Sequence, residues 1–301
     1  CCTQNGVRGG SATVHFPIWH QEIEDILVLK NNKGTEDNRV RKLDYSIQLS
    51  KIFYERFIKD EEITLFSPNN VPGLYEAFGL PEFDDLYVKY ENNKKIKSTK
   101  IRAQSLFMDL LKERAETGRI YIMNIDHCNT HSSFKDKVYM SNLCQEITLP
   151  TKPVKHIDDP EGEIALCILS AINLGLIKEK DELEELCDLS VRALDEIIDY
   201  QEYPVEAARK STEARRSLGI GYIGLAHFLA KNKVKYDDKQ ALVLVDEITE
   251  AFQYYLLKAS NNLAKEKGKC DYFDKTKYAD GILPIDTYKK DLDSIIKRKL
   301  S

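Results

Sequence analysis

Three polar or reactive side chains recur at alternate positions in one short stretch: Asn142, Cys144 and Glu146. In an extended strand or finger-like loop, a spacing of two puts all three on one face, with Leu143 and Gln145 opposite. A carboxylate there can act as base towards a hydroxyl, and an amide can hold a hydroxyl by hydrogen bonds. The thiol has an acid for a neighbour and no cation beside it, which is not a setting that favours a thiolate. An ordinary thiolate nucleophile is therefore disfavoured. The same pattern also fits an exposed polar strand edge around a buried cysteine.

Other groups invite weighing. Cys167 ends the apolar stretch from Ile164 to Leu166 and continues into Ile168 and Leu169, which reads as a strand with a core cysteine. His127, Cys128 and His131 could suit zinc on a helix, but Asn129, Thr130 and the preceding strand predict a turn. With no further matching Cys or His nearby, no metal is expected. Cys187, Cys270, His156 and His227 read as packing or surface residues. Lys94, Lys95 and Lys97, and the terminal Lys297 to Lys299, read as solvated surface.

These residues need elements to hold them. A glycine-rich loop opens the chain, with Gly6, Gly9 and Gly10 permitting close approach of a ligand. A helix is predicted over 17–27, with Pro17 in its first turn. Strands are predicted over 45–49, 63–66 and 119–125, and helices over 51–59 and 99–116. Two β-rich pieces follow, 143–149 and 164–169. The remainder is predicted helical over 181–200, 204–216, 222–231 and 239–267. Strands alternate with helices through the first two-thirds, which argues for an α/β architecture with parallel strands.

Composition bounds the reading. The 301 residues are 42% hydrophobic and 31% charged, as in ordinary globular proteins with a sizeable core. That length allows one large domain or two modest ones, and with no repeat or clear linker one domain, or part of one, is expected. A net charge of −5 argues against a general nucleic-acid binder. No apolar run approaches the roughly 20 residues that span a bilayer. Seven cysteines, an odd number without a Cys-x-x-Cys pair, suggest neither a disulfide framework nor a zinc ribbon and predict a cytoplasmic setting. The chain opens at Cys1 within the glycine-rich loop, without a methionine or a signal-peptide pattern, and so reads as a piece of a longer protein.

Asn142-Leu143-Cys144, Glu146 and the following Leu149-Pro150-Thr151-Lys152-Pro153 resemble the active-site loop of the class I ribonucleotide reductase large, catalytic subunit. The likeness runs in order along nearly the whole chain. Gln4-Asn5-Gly6-Val7-Arg8-Gly9-Gly10 resembles the family's loop between effector site and substrate base. Thr64-Leu65-Phe66-Ser67-Pro68, Val71-Pro72-Gly73-Leu74-Tyr75, Asp126-His127-Cys128-Asn129-Thr130-His131, Gly162-Glu163-Ile164-Ala165-Leu166-Cys167 and Gly281-Ile282-Leu283-Pro284-Ile285-Asp286-Thr287-Tyr288 are similar to further family stretches.

The resemblance implies an α/β fold: part of a ten-stranded α/β barrel with a central active-site finger loop and many flanking helices. Residues 1–301 would be a partial catalytic barrel domain, with the N- and C-terminal parts absent. It implies radical-based reduction of ribonucleoside diphosphates to 2′-deoxyribonucleoside diphosphates, an oxidoreductase activity serving DNA synthesis. Cys144 would carry the thiyl radical that removes the ribose 3′ hydrogen. Glu146 would take the 3′-hydroxyl proton, Asn142 would hold the ribose hydroxyls, and both would bind substrate. Cys167 would be one of two reducing thiols that end as a disulfide, its partner lying upstream and absent. Gln4, Arg8, Gly9 and Gly10 would belong to the effector and substrate loop. No cofactor is expected on this chain. The radical would come from a metal-containing small subunit, nucleoside triphosphates would act as effectors, thioredoxin or glutaredoxin would re-reduce the pair, and the large subunit would dimerise. The family's diphosphate-binding serine loop, its radical-transfer tyrosines and its C-terminal thiol pair have no counterpart here. Split gene, extein and partial reading frame all fit that truncation, and it leaves two alternatives: a fragment inactive without its missing segments, or a cobalamin-dependent or glycyl-radical relative.

Overall fold

The computed structural model describes residues 3–4, 6–178 and 180–288, the side chains of Gln4, Lys180 and Asp181 excepted. Cys1, Cys2, Asn5 and the terminal Lys297–Lys299 run lie outside the described residues. The chain divides into two compact units, Cys1–Pro150 with Ile282–Ser301, and Thr151–Gly281.

The first unit opens with a short antiparallel pair, β1 (Thr3–Gln4) and β2 (Arg8–Gly9). Next come β3 (Thr13–Pro17), α1 (Ile23–Leu27), β4 (Asp44–Leu49), α2 (Lys51–Lys59) and β5 (Glu62–Phe66). Then follow α3 (Leu74–Ala77), α4 (Phe83–Glu91), β6 (Ser98–Arg102), α5 (Ala103–Thr117), β7 (Ile120–Asn124) and α6 (Ile125–Thr130). β3, β4 and β7 form a parallel sheet in that order, with His15 opposite Ser46 and Ile47 opposite Ile122. Alternation gives this sheet two characters. Val14 and Phe16, Tyr45, Ile47 and Leu49, and Ile120 and Ile122 share a core with Ile23, Ile26 and Leu27 of α1, Phe53 of α2, and Leu106 and Leu110 of α5. The other set of alternate residues on β3 and β4 is polar, and it carries the site described below.

A second core gathers Trp19, Phe66, Leu74, Phe78, Phe83, Tyr87, Met123 and Ile125. Arg56 clamps Glu91 through two hydrogen bonds of 2.7 and 2.6 Å, tying α2 to α4. The Tyr87 hydroxyl accepts from the Thr64 N–H and donates to the Thr64 carbonyl, both at 2.7 Å, so β5 is anchored to α4 as well.

The second unit contains β8 (Ile168–Asn173), α7 (Lys180–Tyr200), α8 (Glu206–Arg215), β9 (Leu218–Ile223), α9 (Leu225–Lys231) and α10 (Lys239–Lys267). β8 and β9 pair in parallel, from Ile168 opposite Leu218 to Asn173 opposite Ile223. Leu183, Cys187 and Val191 of α7 meet Phe252, Ala259 and Leu263 of α10 in the neighbouring cores. Cys187 is fully buried, and burial pushes its thiol up to about 11, so it packs as the sequence reading expects. Gly224 turns the chain from β9 into α9 at φ +77°, and a Cβ there would lie 2.3 Å from Asn173 Oδ1. Only glycine fits both demands.

The α/β class is as read from the sequence; the expected parallel pairing holds for β3, β4 and β7 and for β8 with β9, whereas β5 pairs with β6, and β1 with β2, antiparallel. Among the described residues the strands form a three-stranded sheet and three two-stranded ones, not a closed ten-stranded barrel. Several element boundaries need correction. Pro17 ends β3 rather than starting a helix, which suits a residue without an N–H on an edge strand. Residues 98–102 form β6 instead of the first turn of a helix, because pairing with β5 satisfies their backbone and Thr99 and Ile101 are β-branched. The strand expected over 164–169 begins only at Ile168; the Ile164 N–H is taken by the Ala207 carbonyl at 3.1 Å. The helix expected from 222 starts at Leu225, since the chain up to Ile223 is drawn into β9. His127 lies in α6 rather than in a turn, and residues 143–149 are not a strand.

Candidate active site

Thr13 and His15 on β3, and Ser46 and Gln48 on β4, form the polar counterpart of the sheet's apolar face. Each is answered by the segment leading into and around Cys144. Gln48 Nε2 donates to the Tyr139 carbonyl at 2.7 Å. His15 faces the Ser141 backbone; burial pushes its imidazole below the usual histidine range, and Ser141 partly opposes that. Thr13 Oγ1 donates to the Leu143 carbonyl at 2.7 Å, and Gln145 Nε2 donates to Ser46 Oγ at 3.0 Å.

The segment itself is a turn. Asn142 Oδ1 accepts from the Ile147 N–H at 3.0 Å, and the Asn142 N–H reaches the Ile147 carbonyl at 3.3 Å. Ser141 Oγ donates to that same carbonyl at 2.6 Å. Within this closure the Gln145 N–H bonds the Asn142 carbonyl at 3.3 Å, and Gln145 has φ +68°. A left-handed residue cannot continue an extended strand, so the expected one-face alternation of Asn142, Cys144 and Glu146 gives way to a side-chain-closed turn. Cys144 and Glu146 are exposed, Asn142 is half-buried, and Gln145 is turned back onto the sheet. Asn142 spends its carbonyl oxygen on closing the turn, which leaves its amide nitrogen available to a ligand hydroxyl.

Lys137 braces the approach to this turn. Its ammonium donates to the Tyr75 and Glu76 carbonyls at 2.8 and 2.7 Å and lies 4.2 Å from the centre of the Tyr139 ring. Burial pushes its pKa down to about 8, against the pull of Glu76 and Glu82.

Cys167 belongs to the second unit, at the residue before β8, and is exposed rather than a core cysteine on a strand. Its approach is fixed by Glu163, whose buried carboxylate meets Lys152 Nζ at 2.8 Å and the Arg215 guanidinium at 2.7 Å. Burial raises the Glu163 carboxyl, and the two cations more than offset that, holding it below the usual carboxylate range.

In the opening hairpin, Arg8, Gly9 and Gly10 are exposed and Gly6 has φ +73°; the backbone of Gln4 pairs with Arg8, while its side chain lies outside the described residues. His127 and His131 come from successive turns with ring centres 5.8 Å apart, but His131 stacks on Tyr288 at 4.4 Å, with Nδ1 3.2 Å from Thr287 Oγ1. No group of three or more His, Cys, Asp or Glu side chains is arranged as metal ligands among the described residues, and no described helix is long and apolar enough to cross a membrane.

Thr13, Ser46, Gln48 and Gln145 were not singled out by the motif reading. A signal did exist. Ser46 and Gln48 alternate with Tyr45, Ile47 and Leu49, and in a parallel sheet, whose two faces are both covered, polar residues at alternate positions imply a polar occupant on one side.

The profile described as "Ribonucleotide reductase, barrel domain" matches residues 1–299. The chain is 61% identical over 304 aligned residues to the ribonucleoside-diphosphate reductase subunit alpha of Haemophilus influenzae, covering 99% of this chain and 40% of that protein. Identity to the ribonucleoside-diphosphate reductase 1 subunit alpha of Escherichia coli K12 is 57%, with the same coverage. The subunit alpha of Enterobacteria phage T4 is 45% identical, again over 40% of its length. The chain thus spans about 40% of the length of the curated relatives it matches.

Proposed function

The chain belongs to the ribonucleotide reductase barrel-domain family, and we propose that it supplies the radical-cysteine segment for reducing ribonucleoside diphosphates to 2′-deoxyribonucleoside diphosphates. One observation carries this reading: Asn142, Cys144 and Glu146 share a single closed turn, pinned to a polar sheet face, with the thiol and the carboxylate both exposed. The sulfur of Cys144, as a thiyl radical, takes the ribose 3′ hydrogen atom and becomes a thiol. Glu146 accepts the 3′-hydroxyl proton, which eases departure of the 2′-hydroxyl as water. The Asn142 amide holds the sugar by its hydroxyls. Cys167 and a second thiol contribute two electrons and end as a disulfide; hydrogen return from Cys144 then regenerates its radical.

In this reading the strands belong to the family's barrel, with the Cys144 turn as its finger loop, and the opening hairpin with Arg8 relays effector state to the substrate base. Partners are a metal-containing small subunit as radical source, a thioredoxin- or glutaredoxin-type reductant, nucleoside triphosphate effectors and a second large subunit, in the cytoplasm. The relatives' designation as subunit alpha supports a partner subunit over cobalamin as radical source.

The test completes this chain with the segments its relatives carry outside the matched region and adds a radical-generating subunit. Cys144→Ser is expected to abolish turnover with nucleotide binding nearly intact, because the stronger O–H bond makes an oxygen radical far harder to form. Glu146→Gln keeps the shape and removes the base, so water loss from the sugar should slow by roughly 10²-fold or more. Near-parental turnover by Cys144→Ser would remove that residue from hydrogen abstraction.

A further inference from the structure

Gln145 stands between the two residues on which that reading rests, in a backbone conformation that side chains other than glycine seldom adopt (φ +68°). An unassisted chain there would relax towards extended backbone and swing its neighbours. Assistance is visible. Gln145 Nε2 reaches Ser46 Oγ at 3.0 Å, and Ser46 is fully buried in the middle of β4, between His15 of β3 and Tyr121 of β7. On the other side of Cys144, the Leu143 carbonyl is held by Thr13 at 2.7 Å. The thiol is therefore carried between two anchors on neighbouring strands of one sheet, and the Glu146 side chain hangs from the second.

We propose that Gln145, held by Ser46, is a positioning residue that sets the left-handed turn presenting Cys144 and Glu146 to the sugar. The proposal rests on the functional reading above and adds to it a residue that touches no substrate. Hydrogen abstraction and proton removal act on neighbouring atoms of one ribose carbon, so an error of about 1 Å in the turn is worth up to roughly 10²-fold in rate.

The test uses the completed large subunit with its radical-generating partner and reads kcat, KM, melting temperature and the ratio of released base to deoxynucleotide. Gln145→Ala is expected to lower kcat roughly tenfold and leave KM within about twofold, with more base released per deoxynucleotide. At position 46, Thr and Val bring nearly equal bulk, but only Thr keeps the hydroxyl. Ser46→Thr should retain kcat, whereas Ser46→Val should match Gln145→Ala. The double variant Gln145→Ala/Ser46→Val should be no worse than Gln145→Ala alone, because both remove one interaction. Parental kcat and product ratio in Gln145→Ala overturn the proposal; so do equal behaviour of the folded Thr and Val variants, or losses that multiply. If added bulk at 46 abolishes the melting transition, Gln145→Leu and Gln145→Ala decide alone, and both should show the defect. A parent whose turnover survives Cys144→Ser overturns the reading of the loop itself; a parent that needs Cys144 but tolerates Gln145→Ala overturns only the positioning.

Discussion

Cys144 and Cys167 bear the same group and both are exposed, so any division of labour between them must come from their surroundings. Cys144 has a carboxylate and an amide on its own turn. Cys167 stands at the mouth of a strand whose approach is pinned by the Lys152–Glu163–Arg215 cluster. Exposure also removes the packing explanation that its apolar flanks suggest in sequence. Cys167→Ser in the completed enzyme is therefore expected to change the melting free energy by no more than about 0.5 kcal/mol. It should leave substrate binding and the first hydrogen abstraction available while blocking two-electron delivery. The sugar radical then decomposes, releasing base and inactivating the enzyme within few turnovers. Assay of free base against deoxynucleotide checks this, and a normal deoxynucleotide yield would take Cys167 out of the mechanism.

Lys137 offers a residue-scale test of a different kind. Its pKa is pushed down to about 8 from the ordinary 10.5. Between those values the unfolded chain binds a proton that the folded one does not, so this residue makes stability rise with pH across that window and costs most below about 8. Lys137→Met removes this pH-dependent contribution. The difference in unfolding free energy between parent and variant should therefore shift in the parent's favour from pH 8 to pH 10, with Tyr75, Tyr139, Glu76 and Glu82 common to both. A flat difference would show that Lys137 titrates as a solvated amine.

At the scale of elements, what could be read was what periodicity alone determines. β4, α2, α7 and α10 stand where their apolar spacing puts them, the last over Lys239–Lys267 as expected. Where a partner decided, local pattern failed. Residues 98–102 carry a helix-compatible pattern, but β5 offers a row of backbone partners and takes them as β6. The Cys144 turn shows the same limit: its residue types were legible, while the positive φ at Gln145 depends on Ser46, nearly one hundred positions away, and has no local signature. The face of α5 that holds the sheet gives a direct measure of packing. Leu106 is fully buried in the first core, and Leu106→Ala should lower unfolding free energy by about 2–5 kcal/mol in urea titration. Met108 lies 59% exposed on the same helix, and Met108→Ala should stay within about 0.5 kcal/mol. Equal losses at the two positions would mean that α5 is not seated on the sheet through the Leu106 face.

For the whole molecule, the two compact units have separate hydrophobic cores and separate pieces of the proposed chemistry. On the proposed function, the first would hold the hydrogen-abstracting Cys144 and the base Glu146, and the second the reducing thiol of Cys167. The proposed turnover would require more than these side chains: a partner for the Cys167 thiol, a hold on the substrate diphosphate, and a route by which the radical reaches Cys144. The resemblance puts all three in segments outside the matched 40% of the relatives' length. The chain by itself is therefore expected to show no diphosphate reduction with small subunit, dithiol and effector present. Adding the outside segments, as fragments or in one polypeptide, should restore it. The decisive comparison is deoxynucleotide formed by the chain alone against the completed subunit, each with a Cys144→Ser control. Sustained Cys144-dependent turnover by the chain alone would mean that substrate grip and radical entry are both built from the residues described here, and would overturn the division of labour argued from its relatives.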